Sequence, residues 1–175
     1  IRDPRNLITS LKNHYELDYN EALNFMMNDK KFIYNFKKKN DYSDFTFISS
    51  WEKNFLSWKG QNDFPIKIIR YEDLLSNTYY TFEELIKFIN SILKIETRID
   101  ERKLKNSIDS TSFEKLKNYE KNYGFSEAIN SKNNNQNIPF FYLGPENDWK
   151  KLLDKNFKEK LKNTFNKSLK YFSYI

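Results

Sequence analysis

The most constraining feature of the sequence is one short apolar run followed by an amphipathic segment. Ile66, Ile68 and Ile69 flank Lys67 and precede the polar residues 70–73, a pattern that indicates a buried β-strand. The apolar residues after it recur at helical spacing: Phe82, Leu85, Ile86, Ile89, Ile92 and Leu93. A strand, a short turn and a long helix in this order are typical of a crossover unit. The sequence therefore predicts an α/β fold with parallel strands.

Further helices are predicted wherever apolar residues recur at intervals of three or four. The first should begin at Pro4, because Asp3 is a preferred N-cap residue and proline suits the first helical position. The predicted segments are residues 4–16, 21–28, 30–38, 45–58, 100–108, 112–119 and 152–172. Ile1 is interpreted as the last residue of a strand. The polar residues 126–137 are predicted to form a mobile loop.

Composition excludes several classes of function. The 175 residues suit one domain, and they include no Cys and one His. A disulfide framework, a thiolate nucleophile, a Cys-ligated zinc site and a polyhistidine metal site are therefore excluded. No apolar run approaches the roughly 20 residues of a membrane span, and the first residues do not resemble a signal peptide. We predict a soluble chain in the cytoplasm.

The net charge of +6 permits an anionic ligand but does not select one. Lys, Asn, Ile, Phe and Tyr, all with A/T-rich codons, are heavily used, which indicates an A/T-rich genome as a cause of the excess Lys. A basic module that binds nucleic acid or another polyanion through Lys and exposed aromatic residues is one hypothesis. It explains the charge, but not the order of the motifs described next.

Two places in the sequence carry polar residues that a folded core does not require. Arg2 and Ser10 bracket a helix N-terminus, where an Arg fork and helix amides favour a phosphate. The alternative to a phosphate site is that Arg2 pairs with a surface carboxylate and that Ser10 is an ordinary helical residue. Tyr71 follows the predicted strand at Ile66–Ile69, at the edge where open α/β sheets bind ligands. The alternative to a ligand-binding role is that Tyr71 packs in the core.

A third candidate combines two distant segments. Residues 110–113 carry three hydroxyl groups followed by Phe113. The late loop, which we define as residues 140–150, contains Gly144, and a glycine lets the backbone approach a ligand closely. Helix capping by Ser112 is an alternative explanation of the first segment.

In this order the segments resemble the sulfotransferases that use 3′-phosphoadenosine 5′-phosphosulfate (PAPS). Residues 1–10 resemble the family's 3′-phosphate motif, an Arg after a strand and a Ser eight residues later. Residues 70–75 resemble its Tyr-Glu-Asp segment, and residues 112–116 its Ser-Phe segment beside the adenine. The late loop resembles Phe-Phe-Arg-x-Gly followed five residues later by Trp. The resemblance covers nearly the whole chain.

The resemblance implies a P-loop-NTPase-like α/β fold with parallel strands flanked by a majority of helices. Residues 1–175 would be a single partial sulfotransferase domain, its C-terminal portion, with the phosphosulfate loop and the catalytic base upstream of Ile1. The chain alone is then expected to be inactive. We assign no catalytic role to His14, since a lone His on that helix is more often a packing or surface residue.

The resemblance also implies a nucleotide site for PAPS or its product adenosine 3′,5′-bisphosphate. Arg2 and Ser10 would hold the 3′-phosphate, Tyr71 would meet the adenine, and Phe113 would stack on it. The other residues implied to bind the nucleotide are Thr111, Ser112, Tyr142 and Gly144. The sulfuryl acceptor would be a hydroxyl or an amine of unknown identity, and no nucleic-acid partner is expected.

Two departures from the family pattern bear on this prediction. Tyr142 occupies the position of a second phosphate-binding Arg, and Leu143 follows it. This favours, as a further alternative, a non-catalytic sulfotransferase-like interaction domain. Of the dimerisation segment found in some members, only Lys150 and Glu159 remain, so that dimer is not predicted and the oligomeric state stays open.

Overall fold

The computed structural model describes residues 1–34, 45–131, 134 and 136–175. Within these residues the chain is mainly helical, with four short strands and a 3-10 helix at Gly144–Glu146. The α-helices are α1 (Pro4–Tyr15), α2 (Tyr19–Met27), α3 (Trp51–Lys59), α4 (Tyr71–Ser76), α5 (Thr78–Leu93), α6 (Glu101–Ser110), α7 (Phe113–Tyr123), α8 (Trp149–Leu152), α9 (Lys155–Thr164) and α10 (Asn166–Tyr171). The strands are β1 (Phe32–Tyr34), β2 (Phe45–Phe47), β3 (Ile129–Asn130) and β4 (Asn137–Ile138).

The strands form two antiparallel pairs, β1 with β2 and β3 with β4, so the predicted parallel sheet is not found among the described residues. The predicted strand at Ile66–Ile69 is wrong, since this segment forms no regular element. Only its end is bonded to Ile1, whose nitrogen donates to Ile69 O at 2.6 Å while Tyr71 N donates to Ile1 O at 2.7 Å. This alternation is that of a parallel pair, but two bonds do not make a strand.

Local signals correctly locate several helices. The Asp3 carboxylate accepts the Arg5 N–H at 2.8 Å and Pro4 occupies the first turn, so α1 begins where predicted. The predicted helices after Asp100 and Ser112 correspond to α6 and α7, and the long amphipathic helix to α5. The helix predicted over residues 30–38 is wrong, since β1 occupies part of that segment. Residues 35–38 of that prediction lie outside the described residues.

Two predicted helices are interrupted by residues that cap a new one. In the segment 45–58, β2 comes first and α3 begins only after Ser50, whose hydroxyl accepts a hydrogen bond from Lys53 N. In the segment 152–172, the Asp154 carboxylate accepts from Phe157 N at 2.8 Å and starts α9, and α10 follows it. Both side chains bond the backbone in a way that a continuous helix does not permit.

The loop predicted at residues 126–137 contains ordered pairing at its ends. Ile129 of β3 pairs with Ile138 of β4, and Ile138 is buried. The hydroxyl of Ser131 also donates to the Glu16 carboxylate at 2.6 Å. A slip by one residue would move Ile138 to the exposed face, so its burial favours the observed register. Residues 132, 133 and 135 of the predicted loop lie outside the described residues.

The core joins the two ends of the sequence. Helices α1 and α2 pack against α9 and α10, and the completely buried side chains include Ile8, Leu161 and Leu169. Helix α5, in contrast, has no buried residue. Helix α1, which follows the candidate residue Arg2 and contains the candidate residue Ser10, is therefore attached to the buried core cluster.

The C-terminal residues reinforce this attachment through a shared carboxylate. Glu72 accepts the main-chain N–H of Asp3 at 2.9 Å and the hydroxyl of Tyr174 at 2.8 Å. Arg5 donates to the carbonyl of Tyr174 at 3.0 Å, and Arg70 donates to the carbonyl of Phe172 at 2.9 Å. The starts of α1 and α4 are therefore held together by the end of the chain.

The substitution Tyr174→Phe should lower the free energy of unfolding by about 1.5 kcal/mol, the low end for a hydrogen bond to a charged group, because Tyr174 is only half-buried. Burial and the Glu72 carboxylate raise the pKa of Tyr174, so this stabilisation is complete below about pH 10 and is lost as the pH rises further. We expect thermal melts to show a deficit of about 3–6 °C at pH 7 that narrows above pH 10. Tyr171→Phe is the matched control, and an equal deficit at pH 7 and pH 11 would contradict this assignment.

Candidate functional site

A cavity of about 550 Å³ lies between Arg2, the C-terminal half of α1, the start of α4, Phe113 and the late loop. Its wall contains six of the residues selected from the sequence: Arg2, Ser10, Tyr71, Phe113, Tyr142 and Gly144. Thr111 and Ser112 are not part of its wall. Segments distant in sequence therefore converge on one cavity.

Arg2 is placed on the cavity wall by contacts on two sides. Its Nη1 donates to Ser10 Oγ at 3.1 Å, and its guanidinium carbon lies 4.3 Å from the centre of the Tyr71 ring. Its Nε is buried and has no hydrogen-bond partner among the described residues. Burial lowers the pKa of Arg2, and the nearby Tyr71 and Glu72 partly oppose this shift. The group stays cationic at neutral pH and keeps an unsatisfied donor.

Ser10 receives a second hydrogen bond from the late loop. Asn147 Nδ2 donates to Ser10 Oγ at 2.9 Å and to Asn6 O at 2.9 Å. The side chain of Asn6 in turn accepts the main-chain N–H of Trp149 at 2.9 Å. The late loop is thus bonded to α1 at several points on the same side as Arg2.

Phe113 and Gly144 are in direct contact. Gly144 has φ +53°, in the left-handed region, and a Cβ built there would lie 2.3 Å from Cε2 of Phe113. Only glycine allows the backbone to approach the ring so closely in this conformation. The ring also makes an edge contact with Phe141, at 6.1 Å between centroids. These contacts hold the Phe113 ring against the loop, on the cavity wall.

The beginning of the late loop is held by Glu120 of α7. One carboxylate oxygen accepts the Phe140 N–H at 2.7 Å and the other accepts the Phe141 N–H at 2.9 Å. Because Phe113 and Glu120 belong to the same helix, α7 positions both the aromatic ring and the loop that contacts it.

A family model for the sulfotransferase domain matches residues 1–173. The chain belongs to the sulfotransferase domain family. No curated protein and no solved structure gave a significant match to this sulfotransferase chain. Within the described residues, no helix is both long enough and apolar enough to cross a bilayer.

The remaining predicted residues of this sulfotransferase domain have different surroundings. The Tyr142 side chain is 48% exposed, on the cavity wall. The Thr111 hydroxyl donates to Ser107 O at 2.8 Å, at the end of α6. Ser112 occupies the N-cap position of α7, but its side chain makes no capping hydrogen bond. The alternative that the Ser112 hydroxyl caps α7 is therefore wrong, although Ser112 does occupy the N-cap position.

His14 also lies on the cavity wall of the sulfotransferase domain, where it packs against aromatic rings. Its ring centroid is 4.6 Å from that of Tyr15 and 5.9 Å from that of Phe140. Burial lowers the pKa of His14, although Glu127 acts in the opposite direction, so His14 is neutral at pH 7. Among the described residues that line this cavity, Arg2 is consequently the one with a positive charge.

A larger cavity of about 780 Å³ adjoins the first and shares Arg2 and Tyr71 with it. Its wall is mainly apolar and includes Trp51, Trp58 and Phe64. We place the candidate site of the sulfotransferase domain in the smaller cavity, because Arg2 and Ser10, the residues predicted to bind a phosphate, meet there.

Sequence reasoning did not identify two residues that organise the site of this sulfotransferase domain. Asn147 bonds Ser10, and Glu120 bonds the backbone of the late loop. Asn147 lies next to the N-cap residue of α8, and Glu120 is one charged residue on a charged helix. Neither position has a spacing or composition that distinguishes it from surface residues.

Proposed function

We propose that this chain binds the 3′-phosphate and the adenine of PAPS for a sulfotransferase that acts on a hydroxyl or an amine. The observation that carries the proposal is the hydrogen bond between Arg2 and Ser10 on the wall that also contains Phe113. In one cavity, a cation and a hydroxyl match the 3′-phosphate, and an aromatic face matches the adenine. The cavity volume of about 550 Å³ falls within the usual range for a small-molecule site.

Two features of the site support the fit of this nucleotide. The buried Nε of Arg2 is an unpartnered donor, and an unsatisfied polar group of this kind is costly unless a ligand or water bonds it. Gly144 leaves room for the Phe113 ring at the cavity wall. A phosphate oxygen would satisfy the first feature, and an adenine stacked on the ring would use the second.

The roles proposed for this chain are binding and orientation. PAPS, when bound, supplies the activated sulfuryl group. Arg2 and Ser10 would fix the phosphate end of the nucleotide, while Phe113 and Tyr71 would limit the movement of its base. Such positioning lowers the entropic cost of bringing donor and acceptor together. The proposal assigns to this chain no residue that activates the acceptor.

The proposal is tested by calorimetric titration of the full-length protein with adenosine 3′,5′-bisphosphate, adenosine 5′-monophosphate and a mixed-sequence oligonucleotide. We expect the bisphosphate to bind at least tenfold more tightly than the monophosphate, because Arg2 and Ser10 bond the additional phosphate. The polyanion-binding alternative predicts the opposite pattern: strong, salt-dependent binding of the oligonucleotide and no preference for the bisphosphate. That pattern would reject the proposed function.

Ser10→Ala should reduce the affinity ratio of bisphosphate to monophosphate by roughly tenfold to 150-fold, because one hydrogen bond to a charged phosphate is lost. The affinity for the monophosphate itself should change little. Ser91→Ala is the matched control, since the Ser91 hydroxyl donates to Phe88 O on the exposed surface of α5. An unchanged ratio in Ser10→Ala would remove Ser10 from the phosphate site.

A further inference from the structure

The side-chain amide of Asn147 has only one orientation that fits its surroundings. Asn147 is 7% exposed, and its Nδ2 lies 2.9 Å from the main-chain carbonyl oxygen of Asn6. A carbonyl oxygen accepts and never donates, so the amide group that faces it must be the nitrogen. The amide oxygen then faces the Thr9 hydroxyl, whose one hydrogen it shares with the carbonyl oxygen of Asn6. The Asn6 carbonyl of α1 therefore determines the orientation of Asn147.

This orientation determines what the Ser10 hydroxyl can do. The second N–H of the Asn147 amide donates to Ser10 Oγ at 2.9 Å, and Arg2 Nη1 donates to the same oxygen at 3.1 Å. A hydroxyl oxygen has two lone pairs and one hydrogen. Because both lone pairs are occupied by donors from the protein, the hydrogen remains available for an acceptor in the cavity.

We propose that Asn147 is a positioning residue that fixes the Ser10 hydroxyl as a hydrogen-bond donor toward an anion in the cavity. The inference rests on the proposed function and specifies how the phosphate part of the site is arranged. A phosphate oxygen is an acceptor, so a hydroxyl fixed in this way matches it without a cost for reorienting the hydroxyl. Asn147 would thus act on the nucleotide through Ser10 and not by touching it.

Asn147 also connects the late loop to α1, so its loss could affect binding through the loop alone. The two roles differ in their dependence on Ser10. If Asn147 acts through the Ser10 hydroxyl, its substitution has no further effect on phosphate recognition once that hydroxyl is absent. If it acts only on the loop, the effects of the two substitutions add.

The experiment is a double-mutant cycle in the full-length protein with Ser10→Ala, Asn147→Ala and the double variant. The measured quantity is the affinity ratio of adenosine 3′,5′-bisphosphate to adenosine 5′-monophosphate. We expect Asn147→Ala to lower this ratio about three- to tenfold with Ser10 present and less than twofold with Ala at position 10. Equal reductions in both backgrounds, or no reduction with Ser10 present, would overturn the inference.

Asn147→Asp carries the test if the alanine variant melts too low to be titrated. An aspartate of the same size accepts only, so the Ser10 hydroxyl would donate to it and be lost to the phosphate. Repulsion between the new charge and the phosphate is common to both backgrounds and cancels in the cycle. We expect a larger reduction with Ser10 than with Ala at position 10, and equal reductions would overturn the inference.

The outcomes separate this inference from the proposed function. If the unsubstituted protein does not prefer the bisphosphate, the proposed function fails and the inference fails with it. If that preference exists and depends on Ser10, but Asn147 does not contribute to it through Ser10, only the inference is wrong.

Discussion

Replacing Arg2 by alanine is expected to lower the affinity for adenosine 3′,5′-bisphosphate by roughly thirtyfold to several thousandfold, which corresponds to about 2–5 kcal/mol. Arg2 is the cation among the described residues that line the cavity, and Tyr142 has no positive charge to replace it. Its fork also contains the unpartnered Nε. One substitution therefore removes both the charge and the donors proposed to hold the phosphate.

The measurement is a calorimetric titration of the full-length Arg2→Ala protein with the bisphosphate and with adenosine 5′-monophosphate. We expect the bisphosphate to lose far more affinity than the monophosphate. Arg2→Lys should give an intermediate loss, since lysine keeps the charge but not the planar fork. Arg102→Ala, on the exposed surface of α6, controls for the change in net charge. Equal losses for both nucleotides would mean that Arg2 does not bind the 3′-phosphate.

Gly144→Ala is expected to weaken binding of every adenine nucleotide by roughly five- to 150-fold. A Cβ at this position would lie 2.3 Å from the Phe113 ring, so the ring must move away from the loop. The stacking proposed for Phe113 is worth about 1–3 kcal/mol per base. The left-handed conformation of residue 144, with φ +53°, adds about 1–2 kcal/mol of strain for alanine and lowers the melting temperature.

The loss in Gly144→Ala should not depend on the 3′-phosphate, in contrast to the loss in Arg2→Ala. The control is the pair of variants Phe113→Ala and Phe113→Ala/Gly144→Ala. Because the collision requires the ring, adding Gly144→Ala to Phe113→Ala should cause little further loss of affinity for adenosine 5′-monophosphate. A full additional loss would show that Gly144 acts independently of Phe113.

The part of the site formed by α1 could be predicted from the sequence. Asp3 and Pro4 locate the start of the helix, and Arg2 before this start then lies on the same side as Ser10, two turns into α1. Their hydrogen bond follows from local geometry. The contact between Phe113 and Gly144 joins distant segments, and no local pattern predicts it; the resemblance to sulfotransferases brought these two segments together in the prediction.

Other features depend on partners that a local pattern does not contain. The apolar residues at 66–69 indicate an extended segment, but a strand requires a neighbouring strand to pair with. Among the described residues, this segment and Tyr71 make two main-chain hydrogen bonds with Ile1. The carboxylate of Asp154 interrupts the helix predicted over residues 152–172 and begins α9, although the apolar spacing continues through it. Asn147 has its role only because α1 presents acceptors to it.

The claim that this cavity binds a 3′-phosphate and an adenine can be checked in a crystal structure of the full-length protein with adenosine 3′,5′-bisphosphate. We expect the 3′-phosphate within hydrogen-bonding distance of both Arg2 Nε and Ser10 Oγ, and the adenine against the face of Phe113. A nucleotide bound outside the cavity, or one whose 3′-phosphate contacts neither Arg2 nor Ser10, would contradict the claim.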